Sequence, residues 1–256
     1  VKTADQVAIG GFIVRGQTGS KPKRVLIRGI GPSLAGLSSL TNPTLELFSS
    51  ASNVPIATND DWRGAQQAEI TASGLAPKFD QEAAIVAALA PGNYTATLKG
   101  VSGGTGVGLI EVYDLDRASL SDLGNIATRG LVETGDKLLI GGFIVADNTS
   151  RNGQRKVLVR SLGPSLASAP FNLAGTLSDP MVTLVDANGV VVSSNDDWRA
   201  NQTAIQAQAP SLAPPDDREP ALIATLNPGN YTALVQGAKG STTGIATVEI
   251  YNLGAP

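Results

Sequence analysis

Two acidic clusters hold the side chains best suited to chemistry. Asp60 and Asp61 lie in the run Asn59-Asp60-Asp61-Trp62-Arg63, with Asp80 and Glu82 downstream, and Asp196, Asp197, Asp217 and Glu219 repeat that arrangement. Calcium takes about six to eight hard oxygen ligands, which loops rich in Asp, Asn and carbonyl groups supply. Each set is therefore a candidate calcium site, although the spacing is not that of an EF-hand. A competing reading makes each run an Asx turn, with Trp62 or Trp198 packed beneath it and Arg63 or Arg199 paired to a carboxylate. A third reading takes Asp60, Asp61 and Glu82 as the acid/base carboxylates of an enzyme. The presence of the same constellation in both halves of the chain argues for structure over catalysis.

The run Gly29-Ile30-Gly31-Pro32-Ser33-Leu34 invites two further enzymatic readings. A serine nucleophile needs a base, and the chain has no histidine; lysines near the run are few. A dinucleotide loop would open a helix inside a βαβ unit, but Pro32 interrupts this one and no parallel pattern follows. The run reads instead as a tight turn after a buried strand, with Arg28 and Arg160 at the strand ends in structural ion pairs, because a half-buried guanidinium demands a partner.

Composition narrows the function classes. The 256 residues contain no histidine and no cysteine, which removes Ser-His-Asp and Cys-His catalysis and the usual zinc ligands. A net charge of −3 is a poor footprint for nucleic acid. No apolar stretch reaches the length of a membrane span, and no signal peptide opens the chain. Its first residue, Val1, reads as the start of a processed or trimmed chain. Charged residues make up only 16%, against roughly 25% in an average soluble protein, and 29 Gly and 15 Pro imply frequent turns.

The chain is a tandem repeat. Ile9-Gly10-Gly11-Phe12-Ile13-Val14 returns unchanged at residues 140–145, and Gly-Pro-Ser-Leu-Ala at residues 31–35 returns at 163–167. Asn-Asp-Asp-Trp-Arg at 59–63 returns at 195–199, Pro-Gly-Asn-Tyr-Thr-Ala at 91–96 returns at 228–233, and Glu111-Val112-Tyr113-Asp114-Leu115 returns as Glu249-Ile250-Tyr251-Asn252-Leu253. The junction falls in the polar stretch 116–124, giving domains 1–120 and 121–256. Short runs rich in β-branched and aromatic residues, bounded by Gly, Pro, Asn and Asp, predict strands; Asp186-Ala187-Asn188-Gly189 predicts a hairpin turn. Helix is limited to short pieces over 64–72 and 200–208. The expected fold is all-β: two tandem antiparallel β-sandwich domains, jelly-roll or Ig-like, from an internal duplication.

Other motifs have plainer readings. Pro-Gly-Asn-Tyr feeding a strand resembles a tyrosine corner. Asn93, Asn148, Asn201 and Asn230 match the glycosylation sequon, which Asn-Thr turns produce by chance in such a chain. The glycine-rich run 103–108 reads as a hairpin, since no helix follows it. Both tryptophans lie in the Asp-Asp-Trp turns and all four tyrosines in β runs, which leaves little for a sugar-stacking face.

Taken in order, these repeated motifs resemble a unit of large secreted bacterial surface proteins, often found in tandem. The second half of each copy is also similar, more weakly, to the bacterial pre-peptidase C-terminal β-sandwich. The resemblance implies an extracellular or cell-surface location and a modular architecture, and it carries over no catalytic activity. The calcium of pre-peptidase-like sandwiches would fall on the eight acidic residues named above.

The two copies differ at their start. Val132 to Asp136 is the counterpart of Val1 to Asp5, but residues 125–131 have no counterpart in the first copy. If they form a strand, the first domain has a vacant edge, a template for another strand; the alternative is that the matching strand lies upstream in a precursor. The expectation is a non-enzymatic extracellular structural or adhesive module that self-associates head-to-tail into a surface filament or joins other surface-protein domains. The alternative function is a calcium-dependent ligand- or glycan-binding module attached to a secreted enzyme.

Overall fold

The computed structural model describes all residues except 2–6, 17–18, 35–37, 117–120, 136, 147–152, 239–241 and 256. The Asn148 sequon and part of the polar junction lie outside the described residues. The chain divides into two compact units, Val1–Gly124 and Asn125–Pro256, a boundary at the end of the polar stretch.

The first unit contains β1 (Ala8–Arg15), β2 (Lys23–Ile30), β3 (Pro43–Ser49), β4 (Ala57–Asn59), β5 (Ala83–Leu89), β6 (Gly92–Gly100) and β7 (Leu109–Asp114), with a short helix α1 (Gln67–Ala72). One antiparallel sheet runs β1-β6-β3-β4 and a second runs β5-β2-β7. Phe12, Val25, Ile27, Leu45, Leu47 and Leu98 fill the space between them. β2 is buried on both faces because it is central: Val25 and Ile27 face the other sheet, while Leu26 packs outward with Trp62 and Ile70. That outer layer explains α1, which is too short to stand alone in water and is held by its buried Ile70. The helix starts at Gln67, later than the sequence suggests, because Gln66 adopts a left-handed conformation (φ 56°).

The second unit contains β8 (Asp122–Val132), which begins just ahead of the unit boundary, then β9 (Leu139–Val145), β10 (Arg155–Arg160), β11 (Pro180–Asp186), β12 (Val191–Asn195), β13 (Ala221–Leu226), β14 (Gly229–Gly237) and β15 (Gly244–Gly254), with α2 (Gln202–Gln208) after β12. Its sheets run β9-β14-β11-β12 and β13-β10-β15-β8. This order is that of a jelly roll, in which the first strand borders the last. Among the described residues, the first unit has the same order without that first strand. The β11–β12 hairpin turns where expected, with Gly189 at φ 76°.

The Gly-Pro-Ser-Leu turns need their glycines for space. A Cβ on Gly31 would lie 2.0 Å from the Leu40 carbonyl oxygen, and one on Gly163 would lie 2.3 Å from that of Leu177. No helix among the described residues is long and apolar enough to cross a membrane.

Candidate functional site

The acidic runs are turns whose side chains are engaged locally. Asn59 donates to the Asp61 carbonyl and accepts from the Ala84 amide, while the Asp60 carboxylate accepts from the Asp61 amide. Trp62 is 2% exposed and Trp198 4%, so neither offers a sugar-stacking face. Arg63 and Arg199 each lie 4.2 Å from the adjoining indole centroid and pair with Asp80 and Asp217 at 2.5 and 2.7 Å.

Glu82 and Glu219 serve a different purpose. Glu82 is fully buried and accepts from the amides of Gly31, Ser33 and Phe79 and from the Ser33 hydroxyl. Glu219 repeats this with Gly163, Ser165 and Asp216. Each carboxylate ties the Gly-Pro-Ser turn to the acidic loop, so the serine is a donor to a structural acceptor. The expected set of Asp60, Asp61, Asp80 and Glu82 is thereby dispersed, as is that of Asp196, Asp197, Asp217 and Glu219. Among the described residues no three such side chains gather at metal-binding distance.

One acidic side chain is electrostatically unusual. Asp197 is held above the ordinary carboxylate value, first by loss of solvation and then by repulsion from Asp196, Asp179 and Asp217. On the outer face of each second sheet an ion pair forms as expected. Arg28 Nη2 donates to Glu111 at 2.5 Å and Nη1 to the Leu75 carbonyl, and Arg160 bonds Glu249 and the Leu212 carbonyl in the same way. The tyrosine corners also form: the Tyr94 and Tyr231 hydroxyls donate to the carbonyls of Ala90 and Asn227.

The feature that distinguishes the two units lies at a sheet edge. In the second unit β8 covers the outer side of β15 in antiparallel register, pairing Val132 with Gly244, Gly130 with Ala246, Thr128 with Val248 and Ile126 with Ile250. Among the described residues of the first unit, only the start of this pairing is present. Val1 donates its amino group to the Gly106 carbonyl at 2.7 Å and accepts from the Gly106 amide at 3.0 Å, which is the counterpart of the Val132–Gly244 pair. Val107 bonds toward Ser38 and Leu40 instead. Because successive residues of a strand turn their amides to opposite neighbours, Gly108, Ile110 and Val112 aim theirs at the outer edge of β7. Among the described residues, no group there bonds them.

Burial records the same difference. Ala246, Val248, Glu249 and Ile250 are buried, whereas their counterparts Gly108, Ile110, Glu111 and Val112 are all partly exposed. Leu109 is 42% exposed.

The other edge of the same sheet is closed by side chains. Gln66 donates to the Val86 carbonyl and accepts from the Val86 amide, while Asn59 takes the Ala84 amide. The second unit closes β13 likewise: Asn195 accepts from the Ala221 amide and Asn201 donates to its carbonyl. Blocking an edge in this way prevents unwanted strand pairing. Sequence reading missed these caps, because only the tertiary structure brings Gln66 and Asn201 beside β5 and β13.

No protein-family model matches the chain, and no curated protein matches it.

Proposed function

We propose that this protein is a non-enzymatic structural or adhesive module of an exported bacterial surface protein, and that it associates head-to-tail by strand addition at the outer edge of β7. The observation that carries this reading is the contrast within one sheet. The edge of β5 is sealed by Asn59 and Gln66, while among the described residues the outer edge of β7 is paired only from Gly106, by Val1. An open edge with ordered backbone groups is a template for another strand. A contact of this kind, between unlike surfaces, does not close on itself and builds a fibre. Low charge and many small residues suit close packing between neighbours, and the resemblance to repeats of secreted surface proteins agrees with an extracellular setting. Self-association is the leading form of the contact; other surface-protein domains are the alternative partners.

The test is electron microscopy of the natively secreted protein without refolding. Ordered fibres whose repeat matches one two-unit subunit are expected. Discrete monomers at micromolar concentration would reject self-assembly.

A second reading, a calcium-dependent binding module attached to a secreted enzyme, draws on Asp197, whose pKa is raised first by loss of solvation and then by repulsion from Asp196, Asp179 and Asp217. A cation there would relieve that repulsion. A melting temperature that rises with calcium, and stops doing so in Asp197→Asn, would favour it.

A further inference from the structure

A buried amine lies at one end of the core of the first unit. Lys23 is 1% exposed, and no other lysine among the described residues is buried. It opens β2 on the same face as Val25, since side chains alternate along a strand, and Asp114 at the end of β7 stands opposite Val25. Lys23 Nζ donates to both oxygens of the Asp114 carboxylate, at 2.9 and 3.0 Å, and to the Asp116 carbonyl at 2.5 Å. The Asp116 amide donates in turn to Asp114 Oδ1 at 2.8 Å.

We infer that Lys23 and Asp114 condense after folding into an isopeptide bond between Nζ and Cγ, a covalent cross-link from β2 to β7. This modification lies within one chain and goes beyond the proposed function without depending on it.

The step balances within the pair. One proton passes from the ammonium to a carboxylate oxygen along a hydrogen bond already in place, which leaves an amine and a carboxylic acid. The Nζ lone pair attacks Cγ and the N–C bond forms. The C–O bond to one carboxyl oxygen breaks, and that oxygen leaves as water with two of the three hydrogens that Nζ carried. The third stays on the new amide. Nothing is oxidised or reduced, and no co-reactant is needed.

The surroundings supply what this step asks for. Two strands hold the reacting groups in contact, so the entropy of bringing them together is already spent. The Cβ–Cγ torsion of an aspartate is soft, and a turn about it presents the carboxyl face to Nζ. The Asp116 amide is aimed at an oxygen that gains negative charge during the attack, the role of an oxyanion donor, while the Asp116 carbonyl orients Nζ. Burial favours the product, because an ion pair that is costly to desolvate becomes a neutral amide and the water departs to solvent.

The second unit is a control within the same chain. Val157 stands opposite Asn252 there, so Arg155 and Asn252 take the places of Lys23 and Asp114. The turn is kept, with the Gly254 amide bonded to Asn252 Oδ1. A guanidinium, however, stays protonated and offers no amine nucleophile. The turn therefore forms without a lysine, and the pairing of an amine with a carboxylate is particular to the first unit.

The test is intact-mass measurement on the folded 256-residue chain, followed by trypsin digestion. The mass should fall one water short of that of the sequence. Trypsin should release residues 16–24 joined to residues 100–117, because it cuts neither between Lys21 and Pro22 nor after an acylated lysine. Lys23→Arg, which keeps the positive charge, and Asp114→Ala should each show the full mass of their own sequences. A full-mass wild-type chain, folded by circular dichroism and incubated for days, would overturn the inference. So would a water loss that survives in either variant, or a water loss with residues 16–23 and 100–117 recovered as separate peptides, since the dehydration would then lie elsewhere.

Discussion

Ser33 donates its hydroxyl to the buried carboxylate of Glu82 at 2.7 Å, and its own amide bonds the same carboxylate at 2.8 Å. The two residues lie far apart in sequence, on the turn after β2 and the loop before β5. A carboxylate buried without a cation is tolerable only when donors surround it, and here backbone amides and one hydroxyl do so.

Glu82→Gln turns an amide group toward those donors. Because a buried donor left without its charged acceptor costs about 1–3 kcal/mol, the variant should lose about 3 kcal/mol of stability in urea titration. Ser33→Ala, which removes only the hydroxyl, should lose about 1 kcal/mol. Equal losses in the two variants would contradict this division.

Trp62 and Arg63 differ in kind. Removing a buried indole costs about 3–5 kcal/mol, so Trp62→Ala should destabilise strongly. Arg63 and Asp80 are both exposed, and Arg63→Ala should cost less than about 1 kcal/mol. Thermal melts of the two variants check the difference.

Gln66 closes an edge, and its removal should reveal that. Gln66→Ala leaves the Val86 amide and carbonyl open on β5 and should raise concentration-dependent aggregation more than it lowers stability. Light scattering beside a urea titration separates the two effects; unchanged scattering would count against the capping role.

Two aspartates of the second unit should respond to acid in opposite senses. Asp197 has a raised pKa, from desolvation and then neighbouring carboxylates; its ionised form is disfavoured in the fold, and stability falls as pH rises through its titration. Asp216 has a lowered pKa because Arg218 bonds it; its contribution is present at neutral pH and lost as pH falls through the folded value. At pH 7 Asp197→Asn should raise the melting temperature and Asp216→Asn lower it. Both differences should shrink towards pH 3, about where carboxylates protonate in either state.

Tyr251 supplies an alkaline signature. Burial, then the Glu249 charge, push its phenol up to about 12. A raised value stabilises the fold below the unfolded pKa near 10, and that contribution disappears as pH climbs towards 12. Absorbance titration at the tyrosinate band should show a late component that Tyr251→Phe removes; early titration of all four tyrosines would contradict it.

Much of this protein is legible in its sequence, because local chemistry fixes it. Alternating runs such as Thr44-Leu45-Glu46-Leu47 must present one apolar face, so strands follow from period two. Repeated strings of residues imply repeated structure, Pro-Gly-Asn-Tyr announces its corner, and the guanidinium at Arg28 demands a carboxylate. Strands of lower contrast such as β5 and β13 were not distinguished, since Ala83-Ala84-Ile85-Val86 is apolar on both faces and carries no period.

The acidic motif was legible as a pattern and not as a site. Spacing placed Glu82 with Asp60 and Asp61, but the loop that carries Glu82 turns it under Gly31 and Ser33, a choice made by burial of backbone amides far away in sequence. The same holds for the edges. That residues 125–131 precede the repeated start of the second copy was visible in the sequence alone; which strand they border, and that Gln66 and Asn59 guard the opposite edge of the first unit's sheet, depend on pairing between distant segments. Side-chain periodicity reports a strand's faces, whereas its hydrogen-bonding edges face sideways and acquire a neighbour only when the sheet assembles.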